Sequence, residues 1–152
     1  MPISDYLRRI RSKVGHDLLV MPSVTIIVRD DKGRILLTKN ADVSKWIPPG
    51  GGVDPDESPT DAAVREMREE TGLLVEPTRI IGVYGGQEFR IMYPNGDAVS
   101  YVMTVFECKV ISGDMTPDLE ESLDIRYFSK SEVDSLQTSP WARIVLRDAF
   151  NQ

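Results

Sequence analysis

The sequence is poor in the residue types that build disulfides and thiol or imidazole sites. It has one cysteine and one histidine among 152 residues. Cys108 has no partner for an internal disulfide, and its strand-like setting, TVFECKV, favours a passive thiol over a nucleophile. His16 has no neighbour spaced to form a metal site or a base with it, so we expect a surface or packing role. Redox chemistry is therefore not expected.

Long hydrophobic runs are also absent. No segment approaches the roughly 18 uninterrupted apolar residues that indicate a membrane helix. The N-terminal stretch MPISDYLRRIRSKVG carries charges where a secretory signal needs an apolar run. We therefore expect no membrane contact and a cytoplasmic location.

An excess of positive charge is missing as well. The chain has 18 lysines and arginines against 24 aspartates and glutamates, which gives a formal net charge of −6. A basic stripe that follows a nucleic-acid backbone is therefore not expected, and we do not expect nucleic acid as a partner. A polyphosphate ligand would need a recruited cation.

The chain does contain enough apolar residues for one core. Its 152 residues are 41% hydrophobic, which predicts a single domain over residues 1–152. Apolar residues at helical spacing predict an N-terminal amphipathic helix through Ile3, Leu7, Ile10 and Val14. Strand patterns lie near 23–29 and 34–39, predicted as a hairpin, and at 79–85, 88–93, 98–110 and 123–128. Helices are predicted over about 59–71 and after Ser139, which makes the pattern mixed α/β.

Three glutamates share one face of the predicted central helix. At 100° per residue, Glu66, Glu69 and Glu70 fall within a sector of about 100°. Their like charges repel by about 0.2–0.5 kcal/mol per pair, and Arg65 relieves only part of that repulsion. A solvated acidic face is one interpretation. The other is a site for Mg²⁺, which prefers carboxylate oxygens and keeps coordination positions free for phosphate oxygens.

The segment from Gly51 to Leu73 matches a defined motif. The pattern G-x5-E-x7-R-E-U-x-E-E-x-G-U, with U apolar, is fitted at every specified position by Gly51, Glu57, Arg65, Glu66, Met67, Glu69, Glu70, Gly72 and Leu73. This pattern is the Nudix box, and the sequence resembles a Nudix hydrolase. The box covers 23 of 152 residues, and the strand patterns on both sides resemble the rest of the family's fold. One departure is Asp56, which stands where the family commonly has glycine before the first box glutamate.

The resemblance implies an α/β fold of the Nudix type, an α/β/α sandwich with a mixed β-sheet. It implies that Mg²⁺ or Mn²⁺ is bound by the carbonyl of Gly51 and the carboxylates of Glu66, Glu69 and Glu70. Arg65 would orient the glutamates, and Glu57 is expected to fix the junction between loop and helix. The implied reaction is hydrolysis of the diphosphate linkage of a nucleoside diphosphate derivative, either a nucleoside triphosphate or a nucleotide sugar such as ADP-ribose.

The carboxylate that accepts the proton of the attacking water stays open. Glu66 and Glu69 are candidates within the box. The other candidate lies on the later loop PDLEESLDIRYF, where Glu121 is favoured over Glu120 by resemblance to relatives. Exposed loop charge is the plainer interpretation of both loop residues.

Aromatic and cationic residues outside the box give weaker signals. Trp46 in KWIPPG either stacks on a base or forms a wall of the core. Tyr93, Tyr101 and Arg90 are expected at strand surfaces, where they could line the substrate cleft.

Two other functions are alternatives for a chain with this fold. A non-catalytic domain that senses a nucleotide is the main alternative, but it predicts the loss of box carboxylates, and all are present here. An isomerase of this fold is weakened because the cysteine it relies on has no match. A homodimer stays open. The chain lacks the sizeable N-terminal extension that many ADP-ribose hydrolases exchange between subunits, and we take this to favour a small-nucleotide substrate.

The carboxylate cluster predicts dependence on a divalent cation. Removing divalent ions with EDTA should abolish turnover, and adding Mg²⁺ or Mn²⁺ should restore it. The cation should also raise the melting temperature, because an ion that binds the folded state stabilises it by mass action. Calorimetry and a turnover assay on one preparation measure both effects, and full activity in excess EDTA would contradict the metal site.

Overall fold

A computed structural model describes residues 3–152 of the chain. The helices are α1 (Asp5–Val14), α2 (Pro59–Thr71), α3 (Lys130–Asp134) and α4 (Pro140–Phe150). The strands are β1 (Leu19–Val28), β2 (Ile35–Asn40), β3 (Lys45–Ile47), β4 (Gly50–Gly52), β5 (Leu74–Tyr84), β6 (Arg90–Met92), β7 (Ala98–Ser112) and β8 (Ser122–Phe128). A short 3₁₀ turn, Gln87–Phe89, precedes β6.

The strands form two sheets. The larger sheet has the order β4-β1-β7-β5, and β6 pairs with part of β7. Strands β1 and β7 are parallel, whereas the other pairs of this sheet are antiparallel, so the sheet is mixed. The smaller sheet is antiparallel, with the order β3-β2-β8. A parallel pair needs a long crossover, and the chain between β1 and β7 contains α2.

Helices cover both faces of the sheet layer. On β1, Ile26 belongs to the apolar cluster that contains Met67 of α2. The next residue, Ile27, belongs to the second cluster, which contains Val145 and Leu146 of α4. Since successive side chains of a strand point to opposite faces, α2 and α4 lie on opposite sides. The result is the α/β/α sandwich that the family resemblance implies, and it explains why β1 is buried over Ser23–Val28.

Several predicted elements are confirmed with small shifts. Helix α2 occupies 59–71, α1 and α4 form as predicted, and β6 and β7 make the predicted hairpin, with Gly96 at φ 95°. The predicted hairpin of 23–29 and 34–39 is wrong. The turn at Asp30 to Arg34 forms, but a single bridge, between Arg29 and Ile35, links its two arms. Beyond it β1 and β2 enter different sheets, because each strand finds a longer partner in β7 or β8.

Among the described residues, no helix is long and apolar enough to cross a membrane.

Candidate active site

Local signals set both ends of α2, which carries the box glutamates. The Ser58 hydroxyl accepts a hydrogen bond from the backbone N–H of Asp61 at 3.2 Å, and Pro59 occupies the first turn. Gly72 ends the helix in the left-handed conformation at φ 76°, where a side chain would be strained. The apolar side of α2, including Met67, packs into the core. These contacts fix which side of the helix faces the core. Val64, on the same helix, is half-buried.

The glycine loop approaches α2 too closely for side chains. Strand β4 pairs with β1, and a Cβ on Gly50 would overlap the carbonyl oxygen of Val24. A Cβ on Gly51 would overlap the carboxylate of Glu66. The backbone N–H of Gly50 donates a hydrogen bond to Oε2 of Glu70 at 2.9 Å. The absence of side chains therefore lets the backbone of this loop contact the glutamates directly.

Three carboxylates converge beneath this loop. Glu66 and Glu70 come from α2, one turn apart, and Glu121 comes from the segment that enters β8. All three residues are buried, and one carboxylate oxygen from each lies within 4.8 Å of the others. The predicted loop candidate and two of the box candidates therefore form one cluster.

The loop before β8 is folded so that Glu121 points inward. The carboxylate oxygen Oδ1 of Asp118 accepts hydrogen bonds from the backbone N–H groups of Glu120, Glu121 and Ser122, at 3.0, 2.9 and 2.9 Å. The carbonyl of Glu121 accepts from the N–H of Ala41 at 2.9 Å, which ties the loop to the end of β2. Glu120 stays exposed, so one loop supplies one buried and one exposed glutamate.

Burial raises the pKa values of the clustered carboxyls, because loss of water disfavours their charged forms. Burial raises the pKa of Glu66 to about 7, although the neighbouring Arg65 opposes the shift. For Glu70, burial and the negative charges of Glu66 and Glu121 raise the pKa well above its ordinary value. Burial also raises the pKa of Glu121. In the absence of a cation, the cluster therefore resists carrying three negative charges.

Arg65 connects the glycine loop, the start of α2 and the cluster. Its guanidinium makes two hydrogen bonds to the carboxylate of Glu57, at 2.7 and 2.9 Å, and one to the carbonyl of Gly52 at 3.0 Å. It also donates to Glu66 at 3.0 Å and to Glu69 at 3.3 Å. Hydrogen bonding to Glu57, and the charge of Glu66, keep the pKa of Arg65 above its ordinary value. Arg65 therefore holds the glutamate side chains in position, and its N–H groups are already used in these hydrogen bonds.

Glu57 and Glu69 lie outside the buried cluster. Glu57 also accepts from the backbone N–H of Asp54 at 3.1 Å, and the Arg65 hydrogen bonds lower its pKa. The side chain of Glu69 is 53% exposed and lies at the rim beside Arg65. Of the three glutamates predicted to share one face of the helix, Glu66 and Glu70 are therefore buried, whereas Glu69 lies at the entrance.

The remaining sequence candidates take different positions. His16 pairs with Asp97 through Nδ1 at 2.6 Å, and Trp46 packs edge-on against Phe128 in the core. Tyr93 and Tyr101 hydrogen-bond to each other and line the cavity in front of the cluster. Arg90 lines a second cavity beside it.

Sequence inspection missed the N-terminal residues that border the site. Tyr6 and Leu7 of α1 line the same cavity as the glutamates. The helical spacing of its apolar residues predicted α1, but nothing in the spacing shows whether that apolar face meets a core or a cavity.

The donor set fits a hard divalent cation. Its donors are carboxylate oxygens, which Mg²⁺ and Mn²⁺ prefer, and the backbone of Gly51 lies beside them. Among the described residues, the cation that pairs with this cluster is Arg65, at its edge. A bound divalent ion would offset the repulsion between carboxylates and leave positions for phosphate oxygens.

Comparison with known proteins agrees with this geometry. A protein-family model described as the NUDIX domain matches residues 19–149. A MutT-like protein of Streptomyces ambofaciens is 34% identical over 126 residues, which cover 83% of this chain and 73% of that protein. The solved structure of a MutT protein from Methanosarcina mazei Go1 is 27% identical, with a TM-score of 0.68, and the match covers 89% of this chain and 93% of that one.

A shorter stretch of the chain is similar to a protein whose name states an activity. An RNA pyrophosphohydrolase of Pseudomonas fluorescens (strain SBW25) is 40% identical over 65 residues, which are 43% of this chain and 41% of that protein. Since the family domain extends over residues 19–149 and the box is complete, this chain belongs to the Nudix hydrolase family and is an enzyme of the pyrophosphatase type.

Proposed function

We propose that this enzyme hydrolyses the diphosphate linkage of a small nucleoside diphosphate derivative with the help of Mg²⁺ or Mn²⁺. The buried cluster of Glu66, Glu70 and Glu121 is the observation that carries the proposal. A nucleotide-sensing domain without catalysis would have no need to keep three carboxylates buried against one another, since burial of unpaired charge is costly.

The proposed metal ligands are Glu66, Glu69, Glu70 and the carbonyl of Gly51. Glu66 and Glu70 form the buried part of this set, and Glu69 supplies a carboxylate at the entrance. The metal, when bound, would neutralise phosphate oxygens and lower the pKa of a bound water. Arg65 keeps Glu66 and Glu69 oriented through its hydrogen bonds, so we propose a positioning role for it.

Glu121 is our preferred acceptor for the proton of the attacking water. It is buried beside the ligands, and its raised pKa makes it a better proton acceptor near neutral pH than an ordinary glutamate. The alternatives, Glu66 and Glu69, hydrogen-bond to Arg65 and are themselves proposed metal ligands, so their carboxylates are engaged by cations.

A small substrate fits the charge around the site better than a long nucleic acid. Within the described residues, the cations that line the cavity at the cluster are Arg11 and Arg65, and both pair with carboxylates. A nucleic-acid backbone needs several unpaired cations along its path.

A single domain over residues 1–152 and a cytoplasmic location stay predictions, and the number of copies in the active unit stays open.

A side-by-side substrate panel tests the proposed function. Nucleoside triphosphates and nucleoside diphosphate sugars, each with Mg²⁺, should include at least one compound that yields a nucleoside monophosphate. Glu70→Gln should lose most of this activity, because a near-isosteric amide cannot supply the anionic oxygen. The metal-free variant should be as stable as the parent or more so, because the neutral amide removes one carboxyl from the repelling cluster. No turnover of any compound, or parental turnover by Glu70→Gln at limiting Mg²⁺, would contradict the proposal.

The two loop glutamates offer a matched test of the proton acceptor. Glu121→Gln should lower kcat by about 10²–10⁴-fold, because a general base acts in the transition state. Glu120→Gln, one residue earlier and exposed, should keep the parental kcat. Both are assayed at saturating Mn²⁺, with Mn²⁺ affinity measured separately. Near-parental kcat for Glu121→Gln would assign the role of proton acceptor to Glu66 or Glu69 of the helix. A large loss of Mn²⁺ affinity would instead make Glu121 a metal ligand.

The raised pKa of Glu66 predicts how pH acts on the metal-free protein. Its folded pKa of about 7 exceeds the ordinary value of 4.5, so the folded state binds more protons than the unfolded state between these values. The free energy of unfolding should therefore fall as pH rises from about 4.5 to 7. Mn²⁺ affinity should rise over the same range, because binding requires the ionised carboxylate.

Denaturation in EDTA at several pH values measures the first effect, and Mn²⁺ titration measures the second. Glu66→Gln should flatten the stability profile relative to Glu120→Gln, which keeps the buried cluster intact. A parental protein whose stability rises between pH 4.5 and 7 would contradict the assignment.

A further inference from the structure

Helix α1 is held against the domain by few contacts. None of its residues is buried, and neither apolar cluster includes any part of it. Gly15, at its C-terminal end, has a positive φ of 63°, a conformation that glycine adopts without strain. Elements with few buried contacts are the ones that open locally at the lowest free energy. The position of α1 therefore depends on a small number of polar contacts that can be identified.

Arg11 makes the contact from α1 to the start of β7. Its side chain is only 9% exposed, and it donates a hydrogen bond to the carbonyl of Ala98 at 2.9 Å. It also donates to the carbonyls of Gly15 and Asp17, at 3.0 and 2.6 Å, which fixes the turn after the helix. Its Nε lies 3.6 Å from the carboxylate of Asp97, too far for a hydrogen bond, and has no partner within the protein. Arg11 therefore pairs only loosely with Asp97.

His16 is the closer partner of Asp97. Its Nδ1 lies 2.6 Å from Oδ1 of Asp97, whereas Oδ2 accepts a hydrogen bond from the side-chain amide of Asn95 at 3.2 Å. The ring lies against Gly96, where a Cβ would be 3.6 Å from it. Asp97 is buried, but the side chain of His16 is 66% exposed. The imidazole therefore exchanges protons with solvent while it contacts a buried carboxylate.

This contact joins two parts of the wall of one cavity. The cavity lies in front of the carboxylate cluster and has a volume of about 690 Å³, within the usual range of about 300–1,000 Å³ for ligand sites. Leu7 and Arg11 of α1 line it, and so do Asn95 and Asp97 of the turn between β6 and β7. A change in the strength of the contact between His16 and Asp97 therefore acts on the wall of the cavity.

We propose that His16 and Asp97 form a pH-sensitive latch that holds α1 against the turn between β6 and β7. His16 is the only histidine of the chain, and histidine ordinarily changes its charge between pH 5 and 8. The imidazolium forms an ion pair with Asp97, whereas the neutral imidazole offers only an uncharged N–H. The latch is therefore tight in acid and loosens as the pH rises.

Charged groups reach the latch from α1, from the turn and from the segment after the helix. The group from the turn is Asp97, and hydrogen bonding from His16, together with Asn95 and Arg11, lowers its pKa, so it stays ionised. Arg11 of α1 keeps its charge, because a guanidinium is not deprotonated in proteins. Asp17, beside His16 in the chain, adds a second carboxylate. The titration of His16 is thus the change that acts on the latch between pH 5 and 8.

The cavity contains one other group that titrates in this range. Burial raises the pKa values of Tyr93 and Tyr101, so both tyrosines stay neutral, and Asp42 acts on them with its negative charge. Burial raises the pKa of Glu66 to about 7. A test of the latch must therefore separate His16 from Glu66.

Limited proteolysis measures how often α1 leaves its place. Arg8, Arg9 and Lys13 provide trypsin sites within the helix, and a folded helix is cut only after it opens. His16→Gln is the comparison, because its amide is neutral at every pH and the side chain that it replaces is largely exposed. Dividing the cleavage rate of the variant by that of the parent at the same pH cancels the effects of pH on trypsin and on Glu66.

The ratio of cleavage rates should be near one at about pH 8 and about threefold at about pH 5.5, a size typical of an exposed ion pair. In an Asp97→Asn background, His16→Gln should leave the ratio near one at both pH values, because the charged partner is gone. In an Asp17→Asn background the rise in acid should persist. If Asp97→Asn does not fold, the parental comparison decides. An equal ratio at both pH values overturns the latch.

Turnover gives a second measurement, which rests on the proposed function. For a compound that the parent hydrolyses, KM of His16→Gln relative to the parent should be equal at about pH 8 and about threefold higher at about pH 5.5, with similar kcat. An equal KM ratio at both pH values overturns an effect of the latch on the cavity. Failure to hydrolyse any compound overturns the proposed function instead, and the cleavage ratio still decides the latch.

Discussion

Repulsion among buried carboxylates is the constraint on which the site depends. Glu66, Glu70 and Glu121 offer oxygens within 4.8 Å of one another, shielded from water. Two unit charges at about 4 Å repel by roughly 4 kcal/mol at an effective dielectric constant of 20, against about 0.2–0.5 kcal/mol for exposed pairs on a helix. The cluster is therefore stable only when carboxyls are protonated or a cation is bound, so cation binding and ionisation are coupled at this site.

The surrounding fold holds this unfavourable arrangement in place from several directions. Helix α2 is fixed by its caps and by its core contacts, and the glycine loop donates an N–H to Glu70. Arg65 joins Glu57 to Glu66, so its positive charge offsets only one edge of the cluster. Asp118 folds the later loop through three backbone hydrogen bonds. Each contact stabilises a geometry that the carboxylates alone would not adopt.

The charged groups of the site and the apolar side chains beside them come from different parts of the chain. The box and the Glu121 loop supply the charged groups, whereas α1 and the tyrosines of the β6 and β7 hairpin border the space beyond them. Helix α1 lies outside both apolar clusters, and Arg11 hydrogen-bonds it to the first residue of β7.

The sequence alone determined α2 and its acidic face, because caps such as Ser58 and Gly72 and the helical repeat act over a few residues. It also predicted the mixed α/β class from the order of strands and helices. Only the tertiary structure decided that Glu121 joins Glu70 while Glu120 and Glu69 stay exposed, because burial depends on contacts between segments distant in sequence. Likewise, β1 and β2 separate into two sheets because their long-range partners outweigh the turn that joins them.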